Sequence, residues 1–187
     1  MYLSKVKISN YRNYYDTEIS FKEGLNVIVG ANNTGKTNLL EVLKMLDEVP
    51  KNNIHDFNKY DLLNNLEEYK SKAPYIQINY VIEHAFCYDN IDSAFSKLKK
   101  ILVYNEDASL DENVNGTIKI IGKFNLKFEL DKQYENEYKA LMQECQSYDD
   151  FIKILKNLED NFSWNFYNDT NGDKLDKNDI KTIFEID

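Results

Sequence analysis

The chain has 187 residues, with 32 acidic against 23 basic side chains and a formal net charge of −9. A dedicated nucleic-acid-binding surface usually carries a basic excess, so any such contact is expected from a local patch or from segments outside this chain. Hydrophobic residues make up 42% of the sequence, and no apolar run reaches the ~18 residues of a membrane span, which excludes wholesale disorder and a transmembrane helix.

The N-terminal segment alternates charged and apolar residues and predicts two paired strands. Residues 2–8 form the first predicted strand and residues 17–21 the second, with a turn at residues 9–14 between them. This alternation differs from the continuous apolar core of a signal peptide. Because Cys87 and Cys145 also lack a metal-binding spacing, we expect reduced, structural thiols and a cytosolic location.

Residues 30–37 (GANNTGKT) match the P-loop pattern G-x-x-x-x-G-K-[ST] at every fixed position. The apolar run at residues 25–29 predicts a buried strand before the loop, and leucines at helical spacing predict a helix that begins near Lys36. Glycines let successive N–H groups turn inward, and with the positive end of the helix they form a phosphate nest. A chance glycine-rich turn is the alternative interpretation.

The side chains of this loop have predicted roles in binding a nucleotide. Lys36 is placed to reach the β- and γ-phosphates, and the Thr37 hydroxyl is placed to ligate Mg²⁺. The complete set of predicted nucleotide-binding residues is Gly30, Ala31, Asn32, Asn33, Thr34, Gly35, Lys36, Thr37 and Asn38.

The rest of the chain predicts further strands and helices in alternation. Residues 49–74 form a polar linker with a short helix near residues 60–69, and residues 75–82 form a strand. An amphipathic helix at residues 93–104 carries the one local basic cluster, and an acidic loop follows at residues 105–116. We expect this cluster to form a solvated helix face, with contact to a phosphate backbone as the alternative. Its lysines are Lys97, Lys99 and Lys100.

The C-terminal third predicts a long strand at residues 117–130, two helices and a further strand at residues 162–166. The first helix covers residues 134–145, and Ser147 or Asp149 caps the second. Residues 169–173 resemble the start of a calcium loop, but Lys174 and Ile180 occupy positions that need glycine and a bidentate acid, so an acidic hairpin turn is predicted. The second helix has an apolar stripe of Phe151, Ile154, Leu155 and Leu158.

A resemblance to a known family lies in residues 7–14 (KISNYRNY) and 24–41 (GLNVIVGANNTGKTNLLE). They resemble the start of ABC-type ATPase heads of the SMC/RecF/OLD group, in which an I-x-N-F-R-N segment precedes a strand and a G-x-N-x-x-G-K-[ST]-N-L-L loop. Within this group, the two segments most resemble the OLD-family nucleases and related anti-phage ATPases. Residues 54–57 (IHDF) resemble a short segment that follows the P-loop helix in those proteins.

This resemblance implies ATP and Mg²⁺ as ligands, a second ATPase head as partner, and a role in DNA repair or anti-phage defence. It also implies that Arg12, which matches the arginine of the N-F-R segment, lies close to the bound phosphates; a surface arginine in a turn is the alternative. The candidate catalytic residues are therefore Lys36 and Arg12. The implied fold is an α/β P-loop NTPase, an ABC-ATPase-like head lobe with a mixed sheet and antiparallel strands at its N-terminus.

A complete head of this group also needs an apolar strand that ends in Asp-Glu and a signature segment with adjacent glycines, and the sequence matches neither. For the strand, residues 43–48 end in Asp-Glu but lie on the predicted P-loop helix, and residues 183–187 are the nearest strand-like run. For the signature, no two glycines are adjacent. We therefore expect residues 1–187 to be an incomplete N-terminal lobe, with residues 88–187 as an insertion or extension. Such a chain would bind ATP weakly and hydrolyse it negligibly by itself.

Two other functional classes stay open at this point. A non-catalytic, nucleotide-gated interaction module would be favoured if the stripe of Phe151, Ile154 and Leu158 formed an exposed patch. A self-contained P-loop kinase fits the chain length, but Arg12 is the only arginine, so an arginine-rich lid is missing.

Overall fold

The computed structural model describes residues 1–32, 34–87 and 117–184. The predicted helix at residues 93–104 with its lysine cluster, the acidic loop at residues 105–116, and Asn33 lie outside the described residues. The elements in chain order are β1 (Tyr2–Tyr11), β2 (Tyr14–Ser20), α1 (Lys36–Lys44), α2 (Lys59–Asn64), α3 (Leu66–Tyr69), β3 (Ile76–Cys87), β4 (Thr117–Leu130), α4 (Glu135–Gln143), α5 (Tyr148–Asn157), β5 (Phe162–Asn168), β6 (Lys174–Leu175) and α6 (Lys177–Phe184).

The six described strands form one sheet in the order β2-β1-β3-β4-β5-β6. Every described pair is antiparallel, and the long β3–β4 pair runs from Ile76 opposite Phe128 to Cys87 opposite Thr117. Alternation along each strand leaves polar residues on one face and puts apolar residues on the other. The strands predicted at residues 2–8, 17–21, 75–82, 117–130 and 162–166 are confirmed.

The helices pack on the apolar face of the sheet and form a single core with it. Phe57 packs against the rings of Phe128 and Phe162, with centroids 5.5 and 5.6 Å away. The Tyr80 hydroxyl donates a 2.8 Å hydrogen bond to the carbonyl of Val42, which ties α1 to β3. Buried aromatic rings of this kind contribute most of the apolar area of a core. The result is a sheet with one layer of helices, and the predicted α/β class is confirmed.

Two predictions about the sheet are wrong. Residues 25–29 form no strand, and Leu25, Val27 and Val29 are 92, 73 and 87% exposed. The sheet of the described residues is accordingly antiparallel throughout and not mixed. An apolar run becomes a buried strand only where a neighbouring strand and a covering layer are available. Both sides of β1 are already paired, with β2 and with β3.

Residues 49–74 contain short helices that contribute to the core. The helix predicted near residues 60–69 is present as α2 and α3, which are separated at Asn65. A 3₁₀ turn at Ile54–Asp56 precedes them. The side chains of this segment that are buried among the core residues are Ile54, Phe57, Leu62 and Tyr69.

The C-terminal helices follow their predicted pattern. Ser147 is the N-cap of α5, and its hydroxyl accepts a hydrogen bond from the Asp150 N–H at 3.2 Å. The acidic turn after β5 is part of a hairpin with β6, as predicted. In the part of the chain that the structure describes, no helix combines the length and apolarity needed to cross a lipid bilayer. The stripe of α5 faces the core, and its buried members are Phe151, Ile154, Leu155 and Leu158.

Candidate functional site

The glycine-rich loop leads directly into α1, which begins at Lys36 as predicted. The Lys36 ammonium donates hydrogen bonds to the carbonyls of Gly30 and Ala31. The Thr34 hydroxyl also donates to the Ala31 carbonyl, at 2.9 Å. The loop therefore curls around a positive charge, and its carbonyl oxygens are turned toward that charge.

The N-terminus of α1 has the features of an anion site. Among the described residues, no side chain caps it, and its first turn contains no acidic residue. The unpaired N–H groups and the helix dipole at such a terminus favour a negatively charged ligand. Together with Lys36, they fit the phosphates of a nucleotide. The Thr37 side chain is exposed at this terminus, and its hydroxyl oxygen is of the ligand type that Mg²⁺ takes.

Gly35 fits a position that no other residue could occupy without strain. Its φ is +92°, in a region that L side chains rarely adopt. A Cβ here would overlap the Asn13 side-chain amide and lie 3.0 Å from the Tyr14 hydroxyl oxygen. That hydroxyl donates a 3.0 Å hydrogen bond to the Gly35 carbonyl. The turn between β1 and β2 is thus in direct contact with the start of α1.

Arg12 lies in that turn, with a φ of +49°. Its Nε donates to the Asp56 carboxylate at 2.8 Å, and its Nη1 donates to the Asn38 side-chain oxygen at 3.0 Å. The guanidinium also lies over the Tyr11 ring, 5.0 Å from the centroid. These contacts hold the Arg12 side chain in one position beside α1. Its predicted proximity to the phosphates stays a prediction.

The electrostatics of Arg12 follow from these neighbours. Burial by itself lowers the pKa of the guanidinium, but the hydrogen bond to Asp56 and the charges of Tyr11, Asp56 and Glu41 together raise that pKa by more. Burial also raises the pKa of the Tyr11 hydroxyl far above its usual range, with Asp56 adding to the effect. Both groups therefore keep their protons at physiological pH, and Arg12 retains its positive charge.

Asp56 and Asn58 are parts of the site to which the sequence analysis assigned no role. Asp56 is only 4% exposed, and its backbone carbonyl accepts from the Arg12 N–H at 2.7 Å. The Asn58 side chain donates to the Arg12 carbonyl, also at 2.7 Å. The one available signal was the resemblance of residues 54–57, which pointed to the segment but not to its partner.

The structure brings only some of the predicted residues together. Lys36 contacts Gly30, Ala31 and Thr34, within the loop. Asn38 instead contacts the β1–β2 turn, since its side-chain amide donates to the Asn13 side-chain oxygen at 2.5 Å. Asn38 thus belongs to the Arg12 cluster, on the side of α1 that faces the β1–β2 turn.

Comparison with known proteins gives matches of different extent. A family described as "AAA ATPase domain" matches residues 1–186. The DNA replication and repair proteins RecF of Bacillus cytotoxicus and Bacillus thuringiensis are 48% identical over 46 residues, which is 25% of this chain and 12% of each relative. The chain thus matches only 12% of the length of these curated relatives. The predicted resemblance to RecF is confirmed over that stretch, and the OLD relationship stays a prediction.

One solved structure aligns with most of the chain at low similarity. It comes from work on the structural biochemistry of ATP-driven dimerization and DNA-stimulated activation of SMC ATPases. The alignment covers 98% of this chain and 78% of that chain, with 14% identity and a TM-score of 0.44. Similarity at this level carries no argument about function.

Proposed function

Because the chain belongs to the AAA ATPase domain family, we propose that it binds ATP with Mg²⁺ at residues 30–37 and the N-terminus of α1. The observation that carries the proposal is the position of Lys36. Its ammonium lies inside the curled loop at a helix N-terminus that has no described side-chain cap. A positive charge beside unpaired N–H groups is the arrangement that phosphate oxygens require.

Each residue of the loop has a definite task in this proposal. The backbone N–H groups between Gly30 and Gly35 bind phosphate oxygens, and Lys36 exchanges its two carbonyl partners for the β- and γ-phosphates. Thr37 holds Mg²⁺, which when bound neutralises charge on the phosphates. Arg12 supplies a second fixed positive charge beside the first turn of α1, and this charge stabilises negative charge that develops on the γ-phosphate.

We further propose that the loop is completed by segments outside residues 1–187. Support comes from residues 25–29, where three apolar side chains are 73 to 92% exposed immediately before the P-loop. Exposed apolar surface of this kind is typical of an interface. In this proposal the run pairs as a strand with another part of the ATPase head, which also supplies the acid and base for hydrolysis. The cytosolic location and the pairing with a second head stay predictions.

The similarity to RecF supports a role in DNA repair for the complete protein, and anti-phage defence is the alternative from the sequence. The interaction-module hypothesis has no comparable support, since Phe151, Ile154 and Leu158 are 0, 8 and 2% exposed. The patch that would have favoured it belongs to the core.

Calorimetric titration with Mg²⁺–ATPγS tests the proposed nucleotide site. We expect the wild-type chain to bind and Lys36→Ala to weaken binding by at least ~10-fold, because the variant loses a charge-assisted bond to the phosphates. Lys44→Ala is the matched control, since Lys44 is an exposed lysine of the same helix that pairs with Glu41. Equal affinity of the wild type and Lys36→Ala would contradict the proposal.

Turnover measured on the same samples tests the proposed need for outside segments. We expect negligible phosphate release, because the acid–base residues of hydrolysis are assigned to other parts of the head. Release at about one per second, an ordinary enzymatic rate, would contradict that part of the proposal.

A further inference from the structure

Residues 56–58, which are more than 40 positions away in the sequence, fix the turn between β1 and β2. The Arg12 N–H donates to the Asp56 carbonyl at 2.7 Å, and the Asn58 N–H donates to the Asn10 carbonyl at 2.9 Å. Asn10 and Arg12 have φ values of +62° and +49°, in the sparsely populated left-handed region. Residues with such backbone angles persist where surrounding contacts hold them. Residues 56–58 supply those contacts.

A chain of side-chain hydrogen bonds continues from this segment to the P-loop helix. The buried Asp56 carboxylate accepts from Arg12, whose guanidinium also donates to Asn38. Asn38 lies in the first turn of α1, two residues after Lys36, and its amide donates to Asn13. A carboxylate that is 4% exposed is stable only when it is paired, so its partner is strongly held.

We propose that Asp56 is a positioning residue for the phosphate-binding site. It acts through Arg12 and Asn38, which fix the first turn of α1 against the β1–β2 turn. The inference rests on the proposed function, because that turn supplies the N–H groups and the lysine that would bind phosphate. Displacement of such groups by ~1 Å is enough to weaken catalysis strongly.

The competing interpretation is that Asp56 only stabilises the fold. Asp61 provides a matched control, because it is also 4% exposed and lies in the neighbouring helix α2. Its carboxylate accepts from the Tyr69 hydroxyl and from the Asn65 amide, in contacts away from the P-loop. Asp56→Asn and Asp61→Asn therefore make the same chemical change in equally buried positions, but only the first breaks an ion pair with Arg12.

Hydrogen–deuterium exchange without nucleotide tests the positioning role directly. We expect Asp56→Asn to speed amide exchange in peptides covering residues 34–41 by about tenfold, the change that corresponds to loss of one charge-assisted bond. Asp61→Asn should leave those peptides at the wild-type rate. Arg12→Gln, a substitution at a less buried position, should reproduce the effect of Asp56→Asn. Equal exchange in Asp56→Asn and Asp61→Asn would overturn the inference.

Nucleotide titration of the double variant tests whether Asp56 acts through Arg12. Asp56→Asn should weaken Mg²⁺–ATPγS binding by about tenfold, and it should cause no further loss in an Arg12→Gln background. Independent, additive losses would overturn the inference. If the wild-type chain itself did not bind ATPγS, the proposed function would be contradicted, whereas the exchange comparison would still decide the positioning role.

Discussion

Replacing Gly35 by alanine is expected to destabilise the fold through two separate effects. The first is backbone strain, because Gly35 has a φ of +92°. The second is steric, because the new Cβ would overlap the side-chain amide of Asn13 and crowd the Tyr14 hydroxyl. Gly172 separates the two effects, since it also has a positive φ, +74°, but nothing lies within 4 Å of the position of its Cβ.

The sizes of the two effects differ enough to be measured. A left-handed backbone conformation costs an alanine about 1–2 kcal/mol, which is the whole loss expected for Gly172→Ala. In Gly35→Ala, Asn13 must also move and lose its hydrogen bond to Asn38, at about 1 kcal/mol. Strain in the surrounding contacts adds roughly 1–2 kcal/mol. We therefore expect Gly35→Ala to lose about 3–5 kcal/mol of unfolding free energy.

Urea denaturation followed by tryptophan fluorescence gives the comparison. Trp164 is the only tryptophan, and its ring stacks on Phe128 with centroids 4.9 Å apart, so its emission reports loss of the core. The wild type, Gly35→Ala and Gly172→Ala would be measured under the same conditions. Equal losses in the two variants would refute the steric argument and the close contact between the β1–β2 turn and α1.

Three further predictions use the same assay. Phe151→Ala should lose about 3–5 kcal/mol because the ring is fully buried, and a loss within ~0.5 kcal/mol would instead indicate a surface stripe. Tyr80→Phe should lose about 1 kcal/mol, since it removes the hydrogen bond to the Val42 carbonyl; an unchanged midpoint would contradict that bond. Burial, aided by the N-terminal ammonium, lowers the pKa of His84 in the fold. The unfolded chain then binds the proton more readily than the folded chain. The contribution of His84 to the free energy of unfolding is therefore fully present above about pH 6.5 and is lost as the pH falls below it. Measured from pH 7 to pH 5, His84→Asn should reduce this fall, and a parallel decline in both proteins would exclude His84 as its cause.

Local chemistry made much of the fold predictable. The start of α1 at Lys36 was predicted correctly from the glycine before it and the leucines after it. Ser147 was named as a possible cap of α5 because its hydroxyl can satisfy a free N–H group of the first turn. Alternation between Phe124 and Leu130 identified β4 because successive strand residues face opposite sides. Each of these signals acts between residues close together in the chain.

The failures came where a distant partner decides the outcome. An apolar run shows that side chains favour burial, but not whether a neighbouring strand is present to bury them, and residues 25–29 were wrongly expected in the sheet. The Arg12–Asp56 pair joins residues separated by 44 positions. Nothing in the composition of either segment indicated that the carboxylate would be buried or that Arg12 would be its partner.

The sequence by itself determined the phosphate-loop motif, most of the described helices and strands, and the family to which they point. These depend on backbone propensity, periodicity and fixed spacing, which are properties of neighbouring residues. Only the tertiary structure decided that the sheet of the described residues is antiparallel, that residues 25–29 are exposed and form no strand, and that Asp56 and Asn38 contact Arg12 beside α1. These depend on which distant groups meet, because pairing and burial are settled by the folded chain as a whole.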